Sequence, residues 1–164
     1  MEIVFDASTL ILLAKIELLR EVTKEVKIII PEEVKTECFL KESLDAILIS
    51  TLIKEKKIEV KKVGDREALR KIRRDFRIEG GEAEVIWLAK KLNYPIAVDD
   101  GLAIKACKVI GLRFLTAIHF HLDFASRERL EFPMAMAKLE KLTTYGRYSR
   151  RIIEDATKRL KGGN

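Results

Sequence analysis

No run in the chain approaches the roughly 18 consecutive apolar residues that a membrane-spanning helix requires. The opening MEIVFDAS puts an acid, not a basic cluster, ahead of its first long apolar stretch, so neither a secretory leader nor an anchor is expected and a cytoplasmic location is. Cysteine is scarce too. Cys38 and Cys107 lie far apart with no CxxC spacing, which argues against a disulfide framework and predicts two buried free thiols. Histidine occurs only at His119 and His121, in AIHFHLDF. On an extended segment these would alternate as metal ligands do, but without nearby cysteines they make a poor zinc site. Proline and glycine are also few, and there is no internal repeat or low-complexity linker.

What is abundant is apolar and charged sequence. With 164 residues and 48% hydrophobic content, the chain can bury one sizeable core and is read as one domain with a small appendage. Lysine and arginine number 32 against 26 acids, a net charge of +6. Such a surface concentrates anionic partners, nucleic acid among them.

Along the chain, EIVFD reads as a strand ending at Asp6, with Ser8 or Thr9 placed to cap the helix that follows. VKIIIP is a run of the kind a strand covered on both faces shows. Pro31 opens the next helix, with Glu32 and Glu33 favoured at its positive end. An amphipathic helix over residues 43–56 precedes the strand-like KIEVKKV. In DREALRKIRRDFRI, Leu69, Ile72 and Phe76 line one face, and Arg66, Arg70, Arg73, Arg74 and Arg77 lie largely away from it. Gly80 and Gly81 interrupt that helix, EAEVIWLAKKL starts another, IAV is a strand, GLAIKACKVI a helix stopped by Gly111, and LRFLT a last strand. From about residue 118 the pattern becomes helical, with PMAMAKLEKL and RYSRRIIEDATKRL.

Strands alternating with helices predict an open, mostly parallel sheet in a three-layer α/β/α arrangement. Ligands of such sheets collect beyond the carboxyl ends of the strands. Asp6 and the pair Asp99/Asp100 fall on that edge, Glu37 on the helix after the second strand, and Glu82 at a helix start after the two glycines. Each alone reads as a cap or a helix-dipole residue. Together on one edge they form a candidate cation site, since adjacent carboxylates resist burial without an opposite charge.

Four segments, IVFDASTLI, IIIPEEVKTEC, GGEAEVIWLAKKL and IAVDDGLAIKACKVIGL, resemble in order and spacing the PIN-domain family of metal-dependent nucleases. The last two look most like the prokaryotic branch of VapC-type toxin ribonucleases. The resemblance covers residues 1–120 and implies a PIN-like nuclease domain there, with residues 121–164 as a helical C-terminal extension packed on it. It implies that Asp6, Glu37, Glu82 and Asp100 are catalytic and hold Mg²⁺ or Mn²⁺, with Ser8 as a supporting hydroxyl. Many members of the family carry a threonine two residues before the last aspartate, where this chain has Val98. Asp99, standing between, either supplements Asp100 or replaces it as metal ligand.

The activity so implied is endonucleolytic hydrolysis of RNA by a metal-activated water, a chemistry that hard carboxylate oxygens and a divalent ion suit. Arg70, Arg73, Arg74 and Arg77 lead directly into the glycine pair and are candidate RNA contacts, although a solvated helix face explains them equally. The C-terminal cations Arg147, Arg150, Arg151, Lys158 and Arg159 fit RNA, dimer or partner contacts. The resemblance also implies a small antitoxin protein as partner and a homodimer, for which LILLAKI and ILISTLI offer apolar helices. Two other classes compete: a catalytically silent PIN-like module that binds RNA or assembles, and a phosphate-accepting regulatory domain. The second expects its acidic pair near the first strand, not a later one.

Overall fold

The computed structural model describes residues 1–162. Its strands are short, mostly apolar runs: β1 (Glu2–Phe5), β2 (Lys27–Pro31), β3 (Ile58–Lys61), β4 (Ile96–Ala97) and β5 (Phe114–Leu115). They form one sheet in the order β3-β2-β1-β4-β5, every neighbouring pair parallel. Ile3, Val4, Phe5, Ile28, Ile29 and Ile30 are all buried, as strands covered on both faces must be.

Among the described residues ten helices surround the sheet: α1 (Ala7–Lys15), α2 (Leu19–Glu25), α3 (Glu32–Cys38), α4 (Leu44–Lys54), α5 (Arg66–Phe76), α6 (Gly81–Leu92), α7 (Gly101–Ile110), α8 (Ala117–Ser126), α9 (Phe132–Tyr145) and α10 (Arg150–Leu160). In one layer α6 lies against β1, β2 and β4 with α5 and α7 beside it; the other centres on α1, packed against α2, α4, α8 and α9. The α/β three-layer expectation is met, and the sheet is wholly parallel. Among the described residues no helix is long and apolar enough to cross a membrane.

Strand order reverses between β1 and β4: the chain builds β1, β2 and β3 in one direction, then returns to add β4 and β5 on the other side of β1. A crevice at the carboxyl ends is the geometric result of such a switch. Asp6, whose N–H donates to Ala97 O at 2.9 Å, stands at its edge.

Several local expectations change. The first helix starts at Ala7 with Asp6 at its N-cap, not Ser8 or Thr9, because the strand runs straight into the helix without a turn. Leu10, Leu12, Leu13 and Ala14 of α1 are buried, so LILLAKI is core and offers no dimer surface. On α4, by contrast, Leu44 and Ile47 are exposed. The histidine stretch is the helix α8, so the two rings do not alternate on a strand. The His119 ring caps the start of α8 at Thr116, and His121 is fully buried with Nε2 2.8 Å from Ala135 O. Both cysteines are free and buried. Burial pushes the Cys38 thiol up to about 12, with Asp6 and Glu37 adding to it, so it is not a nucleophile.

The boundary expected at residue 120 falls inside α8, and the final two residues of the expected extension lie outside the described residues. Buried Lys138 of α9 donates from Nζ to Ile16 O at 2.5 Å, capping the carbonyl end of α1. Tyr148, just before α10, reaches the other end of the sheet, as described next.

Candidate functional site

Four acids stand at the carboxyl edge of the sheet or on the helices beside it. Asp6 ends β1 and is only 2% exposed. Its Oδ2 accepts from Ser8 Oγ at 2.8 Å, while Oδ1 is buried with no hydrogen-bond partner. Burial is the main reason its carboxyl rises to about 6, with Glu37 adding repulsion. Glu37, in the last turn of α3, accepts at Oε1 from the N–H of Gly81 at 2.6 Å. Glu82 stands in the first turn of α6 and is pushed up to about 7, first by burial and then by Asp6, Asp100 and Glu37. Asp100 caps α7, its Oδ1 accepting from Leu102 N at 3.0 Å and Ala103 N at 2.9 Å.

All four acids therefore lie at or against the amino ends of helices: α1 begins at Asp6, α6 at Gly81 and α7 after Asp100. The positive ends of three helix dipoles partly offset the repulsion among the carboxylates. They do not remove it: both Asp6 and Glu82 are raised, by burial first and by neighbouring carboxylates in addition.

The glycine pair, expected only to interrupt a helix, has a second task. Gly80 has φ +58° and ψ −143°, a conformation other residues adopt only under strain. A Cβ at Gly80 would stand 2.4 Å from Glu37 Oε1, and one at Gly81 would be 3.1 Å from it and 2.8 Å from Val34 Cγ2. The two glycines let the backbone touch the glutamate.

Of the adjacent aspartates, Asp99 turns away from the other acids. Its Oδ2 accepts from Thr9 Oγ1 at 2.7 Å and Ala117 N at 3.0 Å, and its Oδ1 accepts from the Tyr148 hydroxyl. Both oxygens are thus engaged by the protein, and Asp100, not Asp99, is the one that acts on Glu82. The expectation that Asp99 supplements or replaces Asp100 as a ligand does not fit this geometry: its side chain ties α1, the start of α8 and the segment before α10 together. Ser8 links the two sides, donating to Asp6 and accepting from Asp99 N at 3.2 Å.

Among the arginines of α5, Arg73 is partly buried and its Nη2 donates to Gly80 O at 3.3 Å. It braces the glycine turn, a role the sequence reading did not give it. Arg70, Arg74 and Arg77 remain exposed.

A family model described as a PIN domain matches residues 2–161, taking in both the sheet and the C-terminal helices. The chain belongs to the PIN-domain family. Searches of curated proteins and of solved structures gave no match. PIN domains are in general nucleases, and the acids near the carboxyl edge of this sheet are oxygen donors of the kind such chemistry uses.

Among the described residues, no three His, Cys, Asp or Glu side chains are gathered as a ready ligand set. The donor chemistry nevertheless fits a hard divalent ion. Asp6 has an orphaned buried oxygen, and Glu37 and Asp100 each have one oxygen fixed by backbone N–H groups and a second left over.

Thr9, Gly81 and Tyr148 have structural roles here that sequence reasoning missed. Thr9 was legible only as a helix-start hydroxyl, and nothing in the sequence pairs Tyr148 with a residue 49 positions earlier. Tyr148→Phe is expected to leave Asp99 Oδ1 without its donor in a partly buried place, destabilising the fold by about 1–3 kcal/mol. Urea denaturation checks this, and an unchanged midpoint would show that the hydroxyl does not hold the C-terminal segment.

Proposed function

We propose that this PIN domain is a Mg²⁺- or Mn²⁺-dependent endoribonuclease that hydrolyses RNA phosphodiester bonds, with Asp6, Glu37, Glu82 and Asp100 as its acidic site. The observation that supports this most is the convergence at Glu82, whose carboxyl feels Asp6, Asp100 and Glu37 at once although the four acids lie on or beside four different elements. A divalent ion held there would polarise the scissile phosphate and make a water nucleophilic near neutral pH.

The chain's own contribution is positioning. Ser8 fixes one oxygen of Asp6, Gly81 one oxygen of Glu37, and the first N–H groups of α7 one oxygen of Asp100. The charge of Glu82 is opposed by burial and by Asp6, Asp100 and Glu37. The arrangement is preorganised by backbone and needs a cation to neutralise it.

The test is cleavage of a mixed RNA pool with Mn²⁺ or Mg²⁺ by the natural protein and by Asp100→Asn. Activity is expected to need the metal and to fall by about a hundredfold or more in the variant. Equal cleavage by both would indicate a contaminant and end the catalytic reading. RNA binding without turnover in either metal would favour the silent module. The reading extends to a VapC-type toxin, for which the discriminating observation is a neighbouring gene encoding a small DNA-binding protein. For a homodimer, Leu44 and Ile47 on α4 are exposed apolar candidates.

A further inference from the structure

A groove of about 960 Å³ begins at Asp99 and Asp100 and runs between α7 and α10, with α8 forming its floor. Lys105 and Lys108 line it from α7, and Arg147 and Arg151 from the C-terminal side. Arg150 and Arg159 are paired with Glu154 and Asp155. Lys105, Lys108, Arg147 and Arg151 enter no ion pair among the described residues. Four unpaired cations around one groove repel each other, and a polyanion lying between them removes that repulsion and releases its own counterions.

Apolar surface lies among these charges. Leu102 is 50% exposed and Ile152 44% exposed, and both line the groove. An unpaired RNA strand presents phosphates and open base faces together, whereas a duplex hides its bases inside a stack. The second basic depression, along α5, contains Arg70 and Arg74 but no acid of the site and no large apolar side chain. Among the described residues, the α7–α10 groove joins unpaired cations, apolar contacts and the acidic edge in one surface.

We propose that this groove binds a single-stranded RNA segment and leads it to the acidic edge, so that the C-terminal helix α10 is part of the substrate site. The proposal rests on the nuclease reading for its purpose, but not for its measurement. Lys105, Lys108, Arg147 and Arg151 take the phosphates, and Leu102 and Ile152 contact bases. The α5 arginines, the first expectation from sequence, lie outside the path.

Fluorescence anisotropy with a labelled single strand of about 12 nucleotides, in EDTA so that nothing is cleaved, tests this directly. Lys108→Glu/Arg151→Glu is expected to weaken binding by about tenfold or more, and Arg70→Glu/Arg74→Glu by less than about threefold. The slope of log affinity against log salt is expected near about −3 for the natural chain, from four phosphates at about 0.7 each, and near about −1.5 in the groove variant. The milder Lys108→Gln/Arg151→Gln, with circular dichroism unchanged, should weaken binding in the same direction and guards against misfolding. Unchanged binding in both groove variants, an equal loss in the α5 variant, or a duplex bound as tightly as the single strand would overturn the proposal. Displacement of the strand by a polyglutamate of matching charge at equal concentration would instead assign the groove to an acidic protein partner, and would overturn it too. Failures remain separable. Groove-dependent binding by a chain that never cleaves RNA upholds this inference and sinks the nuclease reading, while metal-dependent cleavage with KM unaltered by groove charge reversal does the reverse.

Discussion

Asp6→Asn is expected to abolish RNA cleavage while making the folded protein more stable. Its carboxylate is almost wholly buried, has one oxygen without a partner, and faces Glu37 and Glu82. Loss of a partner behind a metal ligand already costs about 10–100-fold, so loss of the central ligand should lower activity by about a thousandfold or more. Stability moves the other way. An acid whose folded value is raised binds its proton more tightly in the folded chain, so its contribution falls as pH rises through the window between its unfolded and folded values. For Asp6 that window runs from 3.8 to about 6, and above it the charged form costs about 3 kcal/mol.

Asparagine removes that term and places an amide donor among carboxylates, so at pH 8 without metal the variant should gain about 1–3 kcal/mol. Glu82 titrates in the same direction, from 4.5 to about 7, and keeps part of the slope. The natural protein should therefore lose stability from about pH 4 to pH 7 in EDTA and recover it when Mn²⁺ is added, because an ion that binds only the folded chain stabilises it. Asp6→Asn should show a flatter pH profile and a much smaller response to Mn²⁺. Thermal melts across pH with and without Mn²⁺ read all of this. A variant that is less stable at pH 8 and still answers to Mn²⁺ would mean that Asp6 is a structural acid.

Gly80→Ala is expected to disable the site through Glu37 without touching an acid. The new Cβ would lie 2.4 Å from Glu37 Oε1, so the carboxylate must leave the Gly81 N–H that now holds it at 2.6 Å. The backbone must also keep φ +58° and ψ −143° with a side chain present, a strain of about 1–3 kcal/mol. Cleavage should fall about as far as in Glu37→Ala, roughly a hundredfold. The double variant Gly80→Ala/Glu37→Ala should lose little further activity, because both changes remove the same oxygen. Its stability should remain below that of Glu37→Ala, because the backbone strain persists when the clash is gone. Multiplied activity losses in the double variant would show that the glycine serves the backbone alone.

Much of this protein is readable residue by residue. The runs IIIP and IVF read as buried strands, the helical period of DREALRKIRRDF separates its faces, and Pro31 and Gly111 set helix limits. These are local consequences of side-chain shape and period, which is why the order of strands and helices agreed with expectation as far as β5, while the helix α8 was not foreseen. Even the placement of acids after β1 and β4 followed from sequence, since a parallel sheet puts those positions on one edge.

What escaped depended on partners distant in the chain. Two adjacent aspartates are chemically alike in sequence, yet Thr9, Ala117 and Tyr148, at separations of 90, 18 and 49 residues, claim Asp99 and leave Asp100 at the edge. Arg73 looked like its neighbouring arginines until the turn at Gly80 gave it a carbonyl to hold. LILLAKI looked like a free apolar face until α8 and α9 covered it. The sequence by itself determined which segments are strands and helices and which ends carry acid, because period and propensity act over a few residues. Only the tertiary structure decided which acid is spent as a tie and which glycine clasps a glutamate, because a hydrogen bond is fixed by distance in space and not by separation along the chain.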